Sequence, residues 1–218
     1  MALPFSSWFF TTIENYQQSV RIVDEYTTAA NIASGVAPNE AIAYVTATGA
    51  APEVRAKGIE IDGFYAGIPY TTLRVSGAYT DAYYKDFPNL AQPNENGYAD
   101  APAFQNVSGR NLPGAYKYAL NSGVDFRYPV FAKLELITSF NAAYNSSYNS
   151  DNALSSYGEI PGKTLVDFAI GLGTISRSFS ATLLAKNLLD DDTPLARTWN
   201  TYTPAYSRWF GVALSGKL

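Results

Sequence analysis

The chain has 218 residues, of which 47% are hydrophobic and 15% aromatic. Only 16% are charged, well under the quarter usual in a soluble domain, so something other than charge must cover the surface. A net charge of −4 without a basic run leaves no electrostatic footprint for nucleic acid, and with neither Cys nor His there is no disulfide, thiolate nucleophile, usual zinc site or imidazole acid–base pair.

Period-two alternation dominates the chain and helical spacing is poor, which predicts an all-β protein of about eight strands. The first strand runs from Phe5 to Tyr16, where Trp8-Phe9-Phe10 leaves the facing open. Val54 to Tyr65 and Tyr70 to Tyr83 form a hairpin through Gly67-Ile-Pro69; Glu60 and Asp62 oppose Ile59 and Ile61, and Arg74 and Ser76 oppose Leu73 and Val75. Tyr116 to Phe126 turns Tyr116, Tyr118, Leu120, Val124 and Phe126 one way, with Lys117, Asn121, Asp125 and Arg127 the other. A break at Tyr128-Pro129 precedes Phe131 to Asn145, whose Leu134, Leu136, Phe140 and Tyr144 oppose Lys133, Glu135, Ser139 and Asn141. Thr164 to Gly173 and Ser178 to Leu188 make a third hairpin, and the last strand lies within Thr203 to Lys217, with Tyr206, Phe210, Val212 and Leu214 on one face and small or polar residues on the other.

Connections alternate in length. Short ones lie near Gly67–Pro69, Tyr128–Pro129 and Thr174–Arg177; long polar ones span about Ser19–Glu53, Lys85–Pro113, Ser146–Lys163 and Asp190–Thr203. Loops beyond about 12–15 residues are uncommon in compact domains, and several on alternate ends suit an outer-membrane barrel, with short periplasmic turns and long extracellular loops. Such a wall is greasy towards lipid and polar towards its lumen. No run approaches the roughly 18 apolar residues of a membrane helix, and Met1-Ala-Leu-Pro-Phe-Ser-Ser-Trp8 has no basic region or cleavage site of a signal peptide. A natural start upstream of Met1 is therefore expected.

Five stretches resemble the C-terminal part of a TonB-dependent outer-membrane receptor: Phe10-Thr-Thr-Ile-Glu-Asn-Tyr-Gln17, Lys57-Gly-Ile-Glu-Ile61, Val75-Ser-Gly-Ala-Tyr-Thr-Asp-Ala-Tyr83, Val107-Ser-Gly-Arg-Asn-Leu-Pro113 and Ala185-Lys-Asn-Leu-Leu-Asp190. They follow one another at about the family's spacing, and the resemblance covers nearly the whole of residues 1–218. It implies a 22-stranded barrel filled by a plug domain, of which this chain holds a fragment of wall and loops in the bacterial outer membrane. It also implies uptake of a scarce nutrient such as a ferric siderophore, cobalamin or an oligosaccharide. The implied partners are outer-membrane lipid, the plug and remaining strands, the TonB complex through a missing N-terminal part, and the nutrient ligand. A complete eight-stranded barrel with a structural or adhesive role is the alternative, since eight is a closed number; inward rows rich in Gly, Ala, Ser and Asn suit a wider barrel.

Chemistry-bearing residues are few. No nucleophile–base pair, phosphate loop or metal cluster is visible, so no catalytic residue, metal ligand, cofactor or enzyme activity is expected. Tyr83, Tyr84, Tyr148, Trp199 and Tyr202, near the loops, are candidates for stacking on a ligand, with membrane-girdle duty as the competing role. Lys117, Asp125, Arg127, Lys133, Glu135 and Arg74 are expected to face the lumen as ion pairs against a plug. Gly58 reads as a close-packing position, Asn187 and Asp190 as turn-formers, and the run Asp190-Asp191-Asp192 as a turn rather than a cation loop, because it lacks alternate ligand spacing and a glycine.

Overall fold

The computed structural model describes residues 2–38, 40–96 and 104–217; Met1 and the middle of the 85–113 connection lie outside them. Eight long strands carry the fold: β1 (Ala2–Val23), β2 (Tyr44–Tyr65), β3 (Thr71–Asp86), β4 (Tyr118–Phe131), β5 (Leu134–Asn145), β6 (Lys163–Thr174), β7 (Phe179–Lys186) and β8 (Trp209–Gly216). Each pairs antiparallel with its sequence neighbour, giving an up-and-down meander. β8 forms one edge, and beyond β1 the sheet continues, among the described residues, through the two-residue strands Leu90–Ala91 and Phe104–Gln105. Among the described residues β1 and β8 do not pair, so the sheet is open and is not the closed eight-stranded barrel weighed above.

Pairing register converts the sequence alternation into two faces. On one, Phe210, Val212 and Leu214 of β8 align with Ala185, Leu183 and Ala181 of β7, which continue into Phe168, Ile170 and Leu172 of β6. The row runs on through Phe140, Thr138 and Leu136 of β5 to Val124, Phe126 and Tyr128 of β4. These side chains point away from protein: Phe210, Val212 and Leu214 are 69%, 66% and 71% exposed. The opposite face carries Ser76, Ala78, Asn121, Gly123, Ser139, Asn141, Gly171, Ala213 and Ser215. Trp8 and Phe10 share the apolar face with Ile59, whereas Phe9 lies across Gly58 on the polar one. That settles the facing of the Trp8-Phe9-Phe10 run.

Short connections, at 66–70, 132–133 and 175–178, lie at one end of the sheet, and long ones, at 24–43, 87–117, 146–162 and 187–208, at the other. Two expected boundaries move. Tyr128 and Pro129 lie inside β4, with the turn following at 132–133; Arg127 already donates its N–H to Tyr70, just before β3 begins, so the nitrogen of Pro129, two residues further and on the same side, lies past the end of that ladder and its missing N–H costs no strand bond. Both ends of the Ser19–Glu53 connection are strand, since β1 and β2 are each 22 residues long and pair as far as Val23 and Tyr44, which leaves 24–43 as the connection.

Their tip holds helix α1 (Glu25–Ala33), capped by Asp24, whose carboxylate accepts the Thr27 N–H at 3.0 Å and hydroxyl at 2.6 Å. Those bonds hold the Asp24 carboxyl below its ordinary range. Buried hydrophobic residues gather at the same end. Val20, Ala51, Val54, Tyr84, Phe87, Leu90, Val107 and Leu154 form one cluster that joins the β1–β3 extensions to two of the long loops. A sheet whose middle has no packed face thus owes its only sizeable water-free core, among the described residues, to its loops.

Candidate functional site

Two surfaces are built by this architecture: an apolar band on the sheet and a polar cleft among the loops. Aromatic rows bound the band. At its loop end Tyr79 of β3 faces Tyr118 of β4 with ring centroids 5.4 Å apart, beside Trp8 and Ile59 in the same row. At its turn end Tyr70 and Phe126 lie 5.1 and 6.0 Å from Tyr128. Tyr118 and Tyr128 are ten residues apart on one strand, about 33 Å along it, or about 25 Å along the normal for a strand tilted by about 40°. Beyond the loop-end row, charges return to this face: Lys57 pairs with Asp81 at 3.4 Å and Arg55 with Glu53 at 2.7 Å.

On the polar face four of the six expected groups pair between neighbouring strands, Arg74 with Asp125 and Arg127 with Glu135 at 2.6 Å. Lys117 and Lys133 form no ion pair among the described residues, and Lys186 adds a pair with Asp167 at 2.7 Å. The first two pairs sit together over a hollow at the short-turn end, with Arg177 on its rim. Gly58 serves the close packing expected of it, because a Cβ there would lie 2.1 Å from the Tyr79 carbonyl oxygen and 2.7 Å from the Phe9 ring.

The long loops are braced against one another. Gln105 donates to the Ala153 carbonyl at 2.6 Å, the Gly114 N–H to Asn149 at 2.8 Å, and the Tyr148 hydroxyl to Leu195 at 2.6 Å, while the Ser150 hydroxyl donates to the Arg197 carbonyl at 2.7 Å. Three connections thereby become one layer. Between them lies a cleft of about 640 Å³ walled by Arg110, Asn111, Tyr148, Asn149, Glu159 and Arg197, among others.

Of the five aromatic candidates, only Tyr148 lines this cleft. Burial pushes its hydroxyl up to about 12, helped by Tyr116, whose ring centroid is 4.6 Å away. Tyr84 is 0% exposed in the loop-end core, and its hydroxyl accepts from Gln18 at 2.6 Å, so its ring has no face left for a ligand. Tyr83, one residue earlier, points to the apolar side of the sheet, with the Lys57 ammonium 6.0 Å from its centroid. Trp199 and Tyr202 stand exposed on a hairpin in which Ala196–Arg197 pairs with Tyr202–Thr203. The five are not brought together. Arg110 and Arg197, which the sequence reading passed over, are the cations of the cleft wall; their only sequence signal was a charge within a loop rather than on a strand face.

The Asp190-Asp191-Asp192 run closes a turn. Asn187, 6% exposed and in the left-handed region at φ 51°, donates to the Tyr206 and Asp191 carbonyls at 2.9 and 3.0 Å and accepts the Asp191 N–H at 2.9 Å. Asp190 pairs with Arg208 at 3.2 Å. Burial raises the Asp191 carboxyl, but hydrogen bonds from Thr193 and Thr164 outweigh it and hold the group below its ordinary range. Asn187 thus ties the exit of β7 to the segment entering β8.

No protein-family model and no curated protein matches the chain. Solved structures do. The ferric preacinetobactin receptor BauA from Acinetobacter baumannii aligns over 98% of this chain and 26% of its own, with a TM-score of 0.59 and 18% identity. The ferric-catecholate import receptor Fiu from K12 E. coli aligns over 98% and 24%, with a TM-score of 0.61 and 18% identity. The ferric yersiniabactin uptake receptor FyuA from Yersinia pestis aligns over 76% and 24%, with a TM-score of 0.60 and 13% identity. The chain spans about a quarter of the length of these proteins, and its fold is that of a stretch of barrel wall in TonB-dependent siderophore receptors.

Proposed function

We propose that this chain is the C-terminal wall and loop segment of an outer-membrane TonB-dependent receptor that imports a scarce nutrient, a ferric chelate before cobalamin or an oligosaccharide. The observation that carries the reading is the apolar band. Its height of about 25 Å, its two aromatic rows and the return of charge beyond them match the hydrocarbon layer and interfaces of a bilayer. In water so continuous an apolar face would be an aggregation site, far above the few hundred Å² that soluble monomers expose. Lipid is therefore the partner of that face. The polar face, lined by small residues and ion pairs, suits a lumen filled by a separate plug domain, and the edge of β8 and that part of the β1 edge not taken by Leu90–Ala91 suit pairing with further strands. The braced loops present the ligand surface, in which Tyr148 is the best placed of the aromatic candidates and Trp199 and Tyr202 offer exposed rings. Coupling to the TonB complex would run through parts of the receptor outside this segment, so the segment does not transport alone.

The test is to raise antibodies against the 196–203 hairpin, fractionate source cells, purify the reactive polypeptide and titrate it with ferric chelates. The expected product is an outer-membrane polypeptide several times longer than this chain that binds a ferric chelate. A soluble polypeptide of this length without chelate affinity would overturn the proposal.

A further inference from the structure

The cleft between the loops has a chemical bias that ring stacking does not explain. Arg55, Arg74, Arg127 and Arg208 each pair with a carboxylate, whereas Arg110 and Arg197, both on the cleft wall, pair with none among the described residues; nor does Arg177, which stands exposed in the 175–178 turn at the other end of the sheet. Arg110 makes only long bonds to neutral oxygens, at 3.4 Å to Gln105 and 3.3 Å to the Leu154 carbonyl. The Nε of Arg197 is shut off from water and has no acceptor. That nitrogen is out of a ligand's reach as it is out of water's, but the two terminal nitrogens of the same guanidinium form no hydrogen bond or ion pair among the described residues, and the group cannot lose its charge. Around the two cations the wall adds the amide of Asn111 as a further donor, while that of Asn149 is already given to the Ser155 carbonyl at 2.7 Å. Glu159 is the one carboxylate on the wall, against two arginines.

We infer that the loop cleft is an anion-binding site, taking the carboxylate or phosphate group of a small molecule between Arg110 and Arg197. The planar fork of each guanidinium matches two oxygens of such a group at once. Bracing of the loops holds the two arginines in place before the ligand arrives, so little ordering is left to the binding step. The inference deepens the proposed function by giving the ligand's chemical class: an acidic chelate rather than a neutral sugar. It rests on the reading of the loops as a ligand surface, but not on membrane location or transport.

The test is calorimetric titration of the full chain, folded in detergent micelles, with citrate and separately with inorganic phosphate. Saturable binding of at least one is expected, weakening as salt is raised. R197Q and R110Q should each weaken it by about 10-fold or more, the scale of a lost charge-assisted bond. R177Q, at the opposite end of the sheet, should leave it unchanged. Circular dichroism confirms the fold of each variant, and Arg197→Lys, which keeps the charge without the fork, should give an intermediate loss. Binding of neither anion by the folded chain, or binding that both glutamine variants leave intact, would overturn the anion site. Either result would leave the ferric-chelate titration of the whole receptor free to succeed, so the two readings fail separately.

Discussion

Replacing Asn187 with Ala isolates the link that joins the last two strands. The substitution removes three hydrogen bonds, to the Tyr206 carbonyl and to the Asp191 carbonyl and N–H, at a position only 6% exposed. Each bond contributes about 1 kcal/mol net, and partners left buried and unpaired raise the loss. Alanine must also hold the left-handed conformation at φ 51°, which asparagine tolerates and which costs about 1 kcal/mol more. The expected destabilisation is therefore about 3–4 kcal/mol. Asn187→Asp keeps the acceptor for the Asp191 N–H and tolerates the backbone, but it sets a carboxylate oxygen against the Tyr206 and Asp191 carbonyls where the amide donated, so a loss at least as large as alanine's is expected near neutral pH. The assay is urea unfolding in detergent micelles, followed by tryptophan fluorescence, to which Trp209 at the start of β8 contributes. Asn200→Ala, in the exposed hairpin end, is the reference and should stay within about 0.5 kcal/mol. An Asn187→Ala loss no larger than that of Asn200→Ala would refute the reasoning.

Gly58→Ala should destabilise by about 1–3 kcal/mol in the same assay, because its Cβ would meet the Tyr79 carbonyl oxygen at 2.1 Å, whereas Gly63→Ala, with nothing nearer than 3.7 Å, should be nearly neutral. Leu183→Arg, on the apolar face, should cost about 2–4 kcal/mol of lipid affinity, about 30- to 700-fold in vesicle partition, while Thr182→Arg next to it on the polar face should change partition by less than about tenfold. Asp191 and Asp24 are held below their unfolded value of 3.8, so their stabilisation is complete above that pH and is lost as pH falls through the lowered folded values. Asp191→Asn should flatten the acid limb of a stability–pH curve. Tyr148 has the opposite sign: its contribution holds below pH 10 and fades as pH rises through about 12, so Tyr148→Phe should flatten the alkaline limb.

Strand alternation was the legible part of this fold. Wherever large apolar and small polar side chains take turns, as in Tyr118–Phe126 or Trp209–Gly216, the faces read from sequence are those of the structure. The upper halves of β1 and β2 were not legible. Residues 44–53, Tyr-Val-Thr-Ala-Thr-Gly-Ala-Ala-Pro-Glu, have no periodic bulk, and their pairing follows from the β1–β2 ladder that continues beyond the apolar band. Pro129 read as a break because proline usually ends a strand; only the pairing shows that its nitrogen faces the β3 side, past the point where β3 begins. Tyr83 and Tyr84 are indistinguishable as sequence, yet consecutive strand residues face opposite sides, so one lies beside Lys57 and the other in the core. The cleft was hidden for another reason. Arg110, Tyr148 and Arg197 come from three loops whose meeting depends on hydrogen bonds between backbone and side chain at long sequence separation, which leave no local pattern.

The most direct test of the lipid-facing wall is a single-cysteine scan of β7 and β8, which the absence of native cysteine makes clean. Each variant is labelled with a nitroxide in detergent or lipid, and its collisions with an apolar and a water-soluble relaxant are compared. The account predicts strict alternation: 179, 181, 183, 210, 212 and 214 meet the apolar relaxant, and 180, 182, 211, 213 and 215 the aqueous one. Equal access at odd and even positions, or shielding of 183, 212 and 214 from the apolar relaxant, would contradict it.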